Sequence, residues 1–204
     1  MSLKILFHLI LLIPIVSISC QSNKESIWIQ DCDTKKVESC GFMNLDGKLK
    51  IEYGKYPMIF SDTFRNYAIV LKEKEGIIGI DKDEHTLFKV FVYDNGPDYV
   101  AEGFFRIEEH GKIGFVDSQT GEIVIKPTFS AAQPFENGYA AVCHACKTQK
   151  EGEHTSWING KWGIINKKGE LVIEPKYERI KSIETNNRLI VIEDSVEKKV
   201  EIKK

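Results

Sequence analysis

The chain has 204 residues, of which 42% are hydrophobic and 28% are charged, and its 28 basic side chains almost balance its 30 acidic ones. This composition excludes a collagen-like chain, a polar disordered chain and a polybasic tail. A formal net charge of −2 gives no electrostatic reason to bind a phosphate backbone. We therefore expect no nucleic-acid partner.

Residues 1–19 have the layout of an export signal. Lys4 provides a positive start, residues 5–18 form an uncharged apolar run, and small residues precede Cys20. The run is shorter than the roughly 20 apolar residues of a membrane-spanning helix, and it contains Pro14. The pattern predicts a signal helix that is removed on export.

The end of this segment, Ser17-Ile18-Ser19-Cys20, resembles a bacterial lipobox. The resemblance implies that Cys20 becomes the first mature residue and carries acyl chains, with residues 20–26 as a polar tether. Two or more chains give a lasting membrane anchor. We expect a lipid-anchored protein of the cell envelope, at the outer membrane or the cell surface. Ordinary secretion with cleavage after Ser19 is the alternative.

The rest of the chain contains an internal repeat. The segment 160–177 agrees almost position by position with the segment 111–129, and weaker copies surround Gly79 and Gly41. A second motif, an apolar run after Gly138, begins 24 residues after Gly114, and related runs keep the same or nearly the same offset in the other units. Two motifs at one offset indicate a tandem array.

These motifs resemble the bacterial WG-repeat family, named for the pair that stands here as Trp162-Gly163. The tryptophan is replaced by Ile113, Ile78 and Cys40 in the other units, whose glycines are Gly114, Gly79 and Gly41. The resemblance implies tandem β units that act in interaction rather than catalysis, so we expect no enzyme. The resemblance covers about residues 39–193, with repeats at about 39–74, 75–109, 110–158 and 159–193. The sequence pattern predicts one domain at 27–204 that ends in a C-terminal hairpin at 188–202.

Each unit reads as a hairpin followed by a third strand. A turn containing Gly169 joins two apolar strands, Pro175 is expected to end the second of them, and a run such as 139–142 completes the unit. An isolated hairpin is marginally stable in water, so neighbouring units must supply the core. The predicted fold is all-β: an elongated array of antiparallel hairpins or three-strand units behind the signal helix.

Four cysteines remain when Cys20 is set aside, and an exported protein with an even number favours disulfides. Three pairings are possible. We prefer Cys32 with Cys40 and Cys143 with Cys146, because a repeat array keeps these two groups apart.

Residues 143–158 interrupt the array, since 49 residues separate Gly114 from Gly163 where 35 separate Gly79 from Gly114. Such insertions often carry function, which makes His144, His154 and Trp157 candidate binding residues. We expect Trp157 to be exposed and Trp162 to be buried in the repeat core. A zinc or redox site built from Cys143, Cys146, His144 or His154 is the alternative.

Other polar clusters point to no chemistry. The acidic segment 81–85 falls at a hairpin turn and is interpreted as a solvated turn. We predict no resident metal or cofactor. The expected function is an anchored binding module for a protein or envelope ligand. The alternative is an envelope enzyme or a metal or redox protein that uses the loop from Cys143 to His154.

Overall fold

The computed structural model describes residues 27–34, 39–151 and 154–202. All regular structure in these residues is β-strand, so the prediction of an all-β fold is confirmed. No helix in the described ranges is long and apolar enough to cross a membrane. The predicted signal helix, Cys20 and the tether lie outside the described residues.

In chain order, the strands are β1 (Trp28–Cys32), β2 (Cys40–Asn44), β3 (Leu49–Ile51), β4 (Met58–Ile59), β5 (Thr63–Phe64), β6 (Ala68–Lys72), β7 (Gly76–Ile80), β8 (Thr86–Lys89), β9 (Val92–Tyr93), β10 (Gly96–Pro97), β11 (Phe104–Glu109), β12 (Lys112–Asp117), β13 (Ile123–Phe129), β14 (Ala131–Ala132), β15 (Tyr139–Cys143), β16 (Lys147–Glu151), β17 (His154–Ile158), β18 (Trp162–Asn166), β19 (Leu171–Tyr177), β20 (Arg179–Glu184), β21 (Arg188–Glu193) and β22 (Val196–Glu201).

These strands form five antiparallel sheets that follow one another along the chain. The strand orders are β3-β2-β1-β5 in the first sheet, β4-β6-β7-β8 in the second, β11-β12-β13 in the third, β14-β15-β18-β19 in the fourth and β20-β21-β22 in the fifth. Two small hairpins, β9–β10 and β16–β17, stand apart from this series.

The sheets are out of phase with the sequence repeats. The third strand of each predicted unit does not join its own hairpin: β15 pairs with β18, which belongs to the following repeat, and β6 and β11 pair with β7 and β12 in the same way. The chain passes almost directly from the last strand of one sheet to the next sheet, as from β13 to β14. Each repeat therefore contributes strands to two sheets.

Among the described residues, the core lies between consecutive sheets and consists of four apolar clusters. Neighbouring residues of one strand point to opposite faces. In β18, Ile164 packs toward the fifth sheet and Ile165 toward the third. Both side chains are fully buried. Because inner sheets are covered on both faces, their strands read as continuous apolar runs. The elongated shape of the array stays a prediction.

The repeat requires glycine in its first strand for a steric reason. A β-bulge brings the following strand against Gly163, where an added Cβ would lie 2.5 Å from the carbonyl oxygen of Ile173. Gly114 has the same environment, with the carbonyl oxygen of Ile125 at 2.4 Å. Only glycine, which has no Cβ, lets the neighbouring strand lie this close. Gly169, in contrast, lies in a turn with a φ of 80°, the role that the sequence predicts for it.

Pro175 does not end its strand, contrary to the sequence-based prediction. Strand β19 continues to Tyr177, which pairs with Trp162, and Pro175 lies in the bulge opposite Gly163. A bulge tolerates a residue that lacks an amide donor. Trp162 is buried, as the sequence predicts, and so is Tyr177 opposite it.

Candidate functional site

Two irregular segments interrupt the sheets, and together they form the candidate site, here called the loop surface. Residues 91–103 precede β11 and contain the hairpin β9–β10, and residues 144–161 separate β15 from β18 and contain the hairpin β16–β17. The rings of Phe91 and Trp157 connect the two segments, with centroids 6.1 Å apart. The sequence indicated the second segment but not the first.

Trp157 is partly buried, which corrects the expectation that it is exposed. Its ring packs beside Phe91 and beside Trp162, whose centroid is 6.0 Å away. The reason is that residues 147–158 pair as a hairpin that brings Trp157 onto the core between the third and fourth sheets. The backbone of His154 pairs opposite Glu151 at the end of this hairpin. Its side chain lies outside the described part of the chain.

The base of this insertion is closed by a disulfide between Cys143 and Cys146, and a second disulfide joins Cys32 to Cys40. These are the pairings preferred from the sequence. Cys143 and Cys146 are buried, and both sulfurs pack against the backbone of Gly160. In this state they offer no thiolate for a zinc or redox site.

Thiol titration tests this arrangement directly. A Cys20→Ser protein, unfolded without reductant, is expected to show no free thiol and to show four after reduction, because both disulfides hold all remaining cysteines. A Cys143→Ser/Cys146→Ser control should release only two. Free thiols before reduction, together with bound zinc, would instead favour the metal interpretation.

A surface cavity of about 670 Å³ lies beside this disulfide. Its lining includes His144, Asn159, Gly160, Lys161, Pro175 and Glu178. His144 is exposed, and its ring lies 4.8 Å from that of Phe129. The ammonium of Lys161 is 3.8 Å from the carboxylate of Glu178. The cavity thus presents both charges and is large enough for a small polar ligand or a peptide side chain.

The segment 91–103 exposes several large apolar side chains. Val92, Tyr93, Tyr99 and Val100 are each about half exposed. The two tyrosine rings pack edge to face, with centroids 5.4 Å apart. Paired tyrosines offer a large contact area with few rotatable bonds, which suits them to recognition.

A buried ion pair holds this group in place. The Arg106 guanidinium donates to both carboxylate oxygens of Asp98, at 2.9 and 2.6 Å, and to the carbonyl oxygen of Ala132 at 2.9 Å. The backbone amide of Arg106 also donates to Asp98. The guanidinium lies 4.4 Å from the centre of the Phe91 ring. Arg106 therefore binds the loop to the third sheet and also connects the third sheet to the fourth.

This ion pair was not predicted from the sequence, although the repeat pattern contains a signal for it. Arg106 stands at the repeat position occupied by Ile69, Ala141 and Ile190 in the other units. A charged residue at an apolar repeat position requires a buried partner. The repeat pattern could not identify Asp98 as that partner, because it lies in the irregular segment.

The acidic segment 81–85 forms a turn, as its sequence indicates. One carboxylate oxygen of Asp81 accepts the backbone amides of Asp83 and His85, and the other lies 3.1 Å from the His85 ring. Asp83 and His85 are exposed. These contacts are typical of an Asp-stabilised turn.

A second cavity, of about 530 Å³, lies near Tyr67. The Tyr67 hydroxyl donates to the carbonyl oxygen of Ser118 at 2.8 Å, which connects the second sheet to the third. Burial raises the pKa of Tyr67 to about 12. Its hydroxyl thus stays a protonated donor at neutral pH.

Comparison with known families identifies the repeated part of the chain. Residues 113–144 and 162–195 match the WG containing repeat. This match supports the WG-repeat family for the third and fourth units. The first WG segment stops as the insertion begins and the second starts as it ends, so most of 144–161 lies outside the repeat, as does 91–103. A comparison with curated proteins finds no match.

Proposed function

We propose that this protein is a lipid-anchored WG-repeat protein of the cell envelope that binds a protein or envelope ligand through the loop surface. The WG repeats serve as the scaffold, and the two irregular segments supply recognition. This division of roles is general in repeat proteins, whose cores specify shape while inserted loops determine the ligand.

The observation that carries the proposal is the exposed apolar group at Val92, Tyr93, Tyr99 and Val100. Covering large exposed apolar side chains with a partner is favourable, and the contact between the Tyr93 and Tyr99 rings concentrates part of this surface in one place. The ion pair beneath it lowers the entropic cost of binding, because the loop is already ordered. Tyrosine is also enriched among residues that dominate binding energy.

The loop surface is tested by a paired substitution. Tyr93→Ser/Tyr99→Ser is expected to weaken partner capture at least about tenfold, since each lost aromatic anchor typically costs more than 1 kcal/mol of binding free energy. Partners retained from native envelopes by the tagged wild-type protein would be quantified by mass spectrometry after crosslinking. A Val124→Ser/Leu171→Ser control removes two comparably exposed apolar side chains from other sheets. Equal losses in both variants would contradict the proposal.

The anchor is tested separately at Cys20. Cys20→Ser is expected to move the protein from the detergent phase to the aqueous phase in a detergent-partitioning experiment, because the acyl chains provide the membrane affinity. Metabolic labelling with a fatty acid should be lost in the same variant. Unchanged partitioning would refute lipid attachment at this residue.

A further inference from the structure

The outer face of the first sheet carries a row of apolar side chains beside Asp31, which lies on the same face two residues after Ile29 and accepts a hydrogen bond from the Tyr53 hydroxyl. Ile29 of β1 lies opposite Met43 of β2, which in turn lies opposite Leu49 of β3, so the three side chains cross the sheet in one row. Leu45 is exposed in the adjoining turn. We call Ile29, Met43, Leu45 and Leu49 the N-terminal face. Ile29 and Leu45 are each 45% exposed.

This face has the register of a buried interface. The pair Ile29–Met43 is equivalent to Phe105–Val116 in the third sheet and to Ala140–Ile165 in the fourth. In those sheets the equivalent pairs pack against the preceding sheet, and all four side chains are buried. The first sheet comes first in the described array, so its equivalent pair faces outward.

The other end of the array is built differently. The outer face of the fifth sheet pairs Arg188 with Glu201, Ile190 with Lys199, and Ile192 with Glu197. Charged side chains thus stand beside each isoleucine of that face, as is usual for a terminal unit in contact with water. The two ends of the same fold are therefore suited to different surroundings.

We propose that the N-terminal face docks on the bilayer that holds the anchor. This inference rests on the lipid attachment at Cys20 in the proposed function. Only eight residue steps separate Cys20 from Trp28, where the first sheet begins, so the sheet lies within about 29 Å of the acylated residue. The tether keeps the membrane at a high effective concentration, so weak apolar contact suffices for docking.

A bilayer fits this face better than a second copy of the chain. Four partly exposed side chains present on the order of a few hundred Å², whereas each partner of a standard stable interface contributes about 800 Å². An apolar row that a short tether holds near the bilayer does not need an interface of that area to dock. It lies at the membrane interface with aliphatic side chains in contact with lipid.

Brominated-lipid quenching tests the docking in the full mature protein. Leu45→Trp places an added indole in an exposed turn of the first sheet, and Val196→Trp places one at the exposed start of β22 in the fifth sheet. In vesicles of phosphatidylethanolamine and phosphatidylglycerol, bromination of the acyl chains should quench the added emission at position 45 and leave that at position 196 unchanged. Wild-type emission is subtracted, and Ile29→Trp serves as a second probe of the same face.

The outcomes separate the two proposals. Intact mass shows whether the protein is acylated, and an unacylated protein would overturn both. Acylated protein without quenching at positions 45 and 29 would overturn docking alone, whether or not a dimer occupies the face. Quenching at both ends of the array would also overturn it, since docking requires contact through one face. Retained disulfides and an unchanged thermal transition verify that each variant is folded.

Discussion

Replacing Asp98 with alanine is expected to lower the free energy of unfolding by about 3–5 kcal/mol, the usual cost of leaving one member of a buried ion pair without its partner. The side chains of Arg106 and Asp98 are 4% and 1% exposed, so water cannot replace the lost carboxylate. The same change should release the segment 91–103 and weaken partner capture through Tyr93 and Tyr99.

Urea denaturation of the Cys20→Ser protein measures this effect. Glu197→Ala is the matched control, because it removes an ion pair with Lys181 of similar length whose side chains are about half exposed, and such pairs contribute at most about 1 kcal/mol. The double variant Asp98→Leu/Arg106→Met should recover part of the loss, since it leaves no unpaired charge. A cost for Asp98→Ala no larger than that of the control would disprove the structural role of the pair.

Replacing Gly163 with alanine is expected to cost about 2–3 kcal/mol, at the upper end of the usual cost of overpacking. The added methyl group would meet the backbone of β19, which can move only if the bulge around Pro175 is rebuilt. Gly114→Ala should lower the free energy of unfolding by a similar amount, because a Cβ added there would lie equally close to the carbonyl oxygen of Ile125.

Gly96→Ala provides the comparison for these glycine variants. At Gly96 the nearest heavy atom to an added Cβ is 3.9 Å away, and φ is not in the left-handed region. The unfolding midpoint in urea should therefore change little for Gly96→Ala and fall clearly for Gly163→Ala and Gly114→Ala. Similar midpoints for all three variants would show that close approach is not why the repeat requires glycine.

Local features of the repeat could be predicted from the sequence. Period, strand composition and turn chemistry identified the hairpins, the glycine turn at Gly169 and the burial of Trp162. These properties depend on a few neighbouring residues. The preferred cysteine pairs also followed from the repeat pattern, because an array keeps the two groups of cysteines apart.

Pairing between units was harder to predict. A strand such as β15 is apolar on both faces, so its sequence does not distinguish the preceding hairpin from the following one as its partner. The partial burial of Trp157 was also hard to predict, because its ring packs on Phe91, a residue of another segment. For the Arg106–Asp98 pair, the arginine was visible as an exception within its repeat position, whereas the aspartate lies outside any pattern.

Because the repeats are offset from the sheets, the number of repeats in such a protein can change by whole units. Each repeat begins in the middle of one sheet and ends in the middle of the next. In-register duplication of one unit by recombination would thus complete the sheet it enters and open a new sheet that the following unit completes. The array would grow by one whole sheet while β1 and β22 remained at the ends. A gene for this fold can gain or lose units without creating an incomplete sheet at either junction.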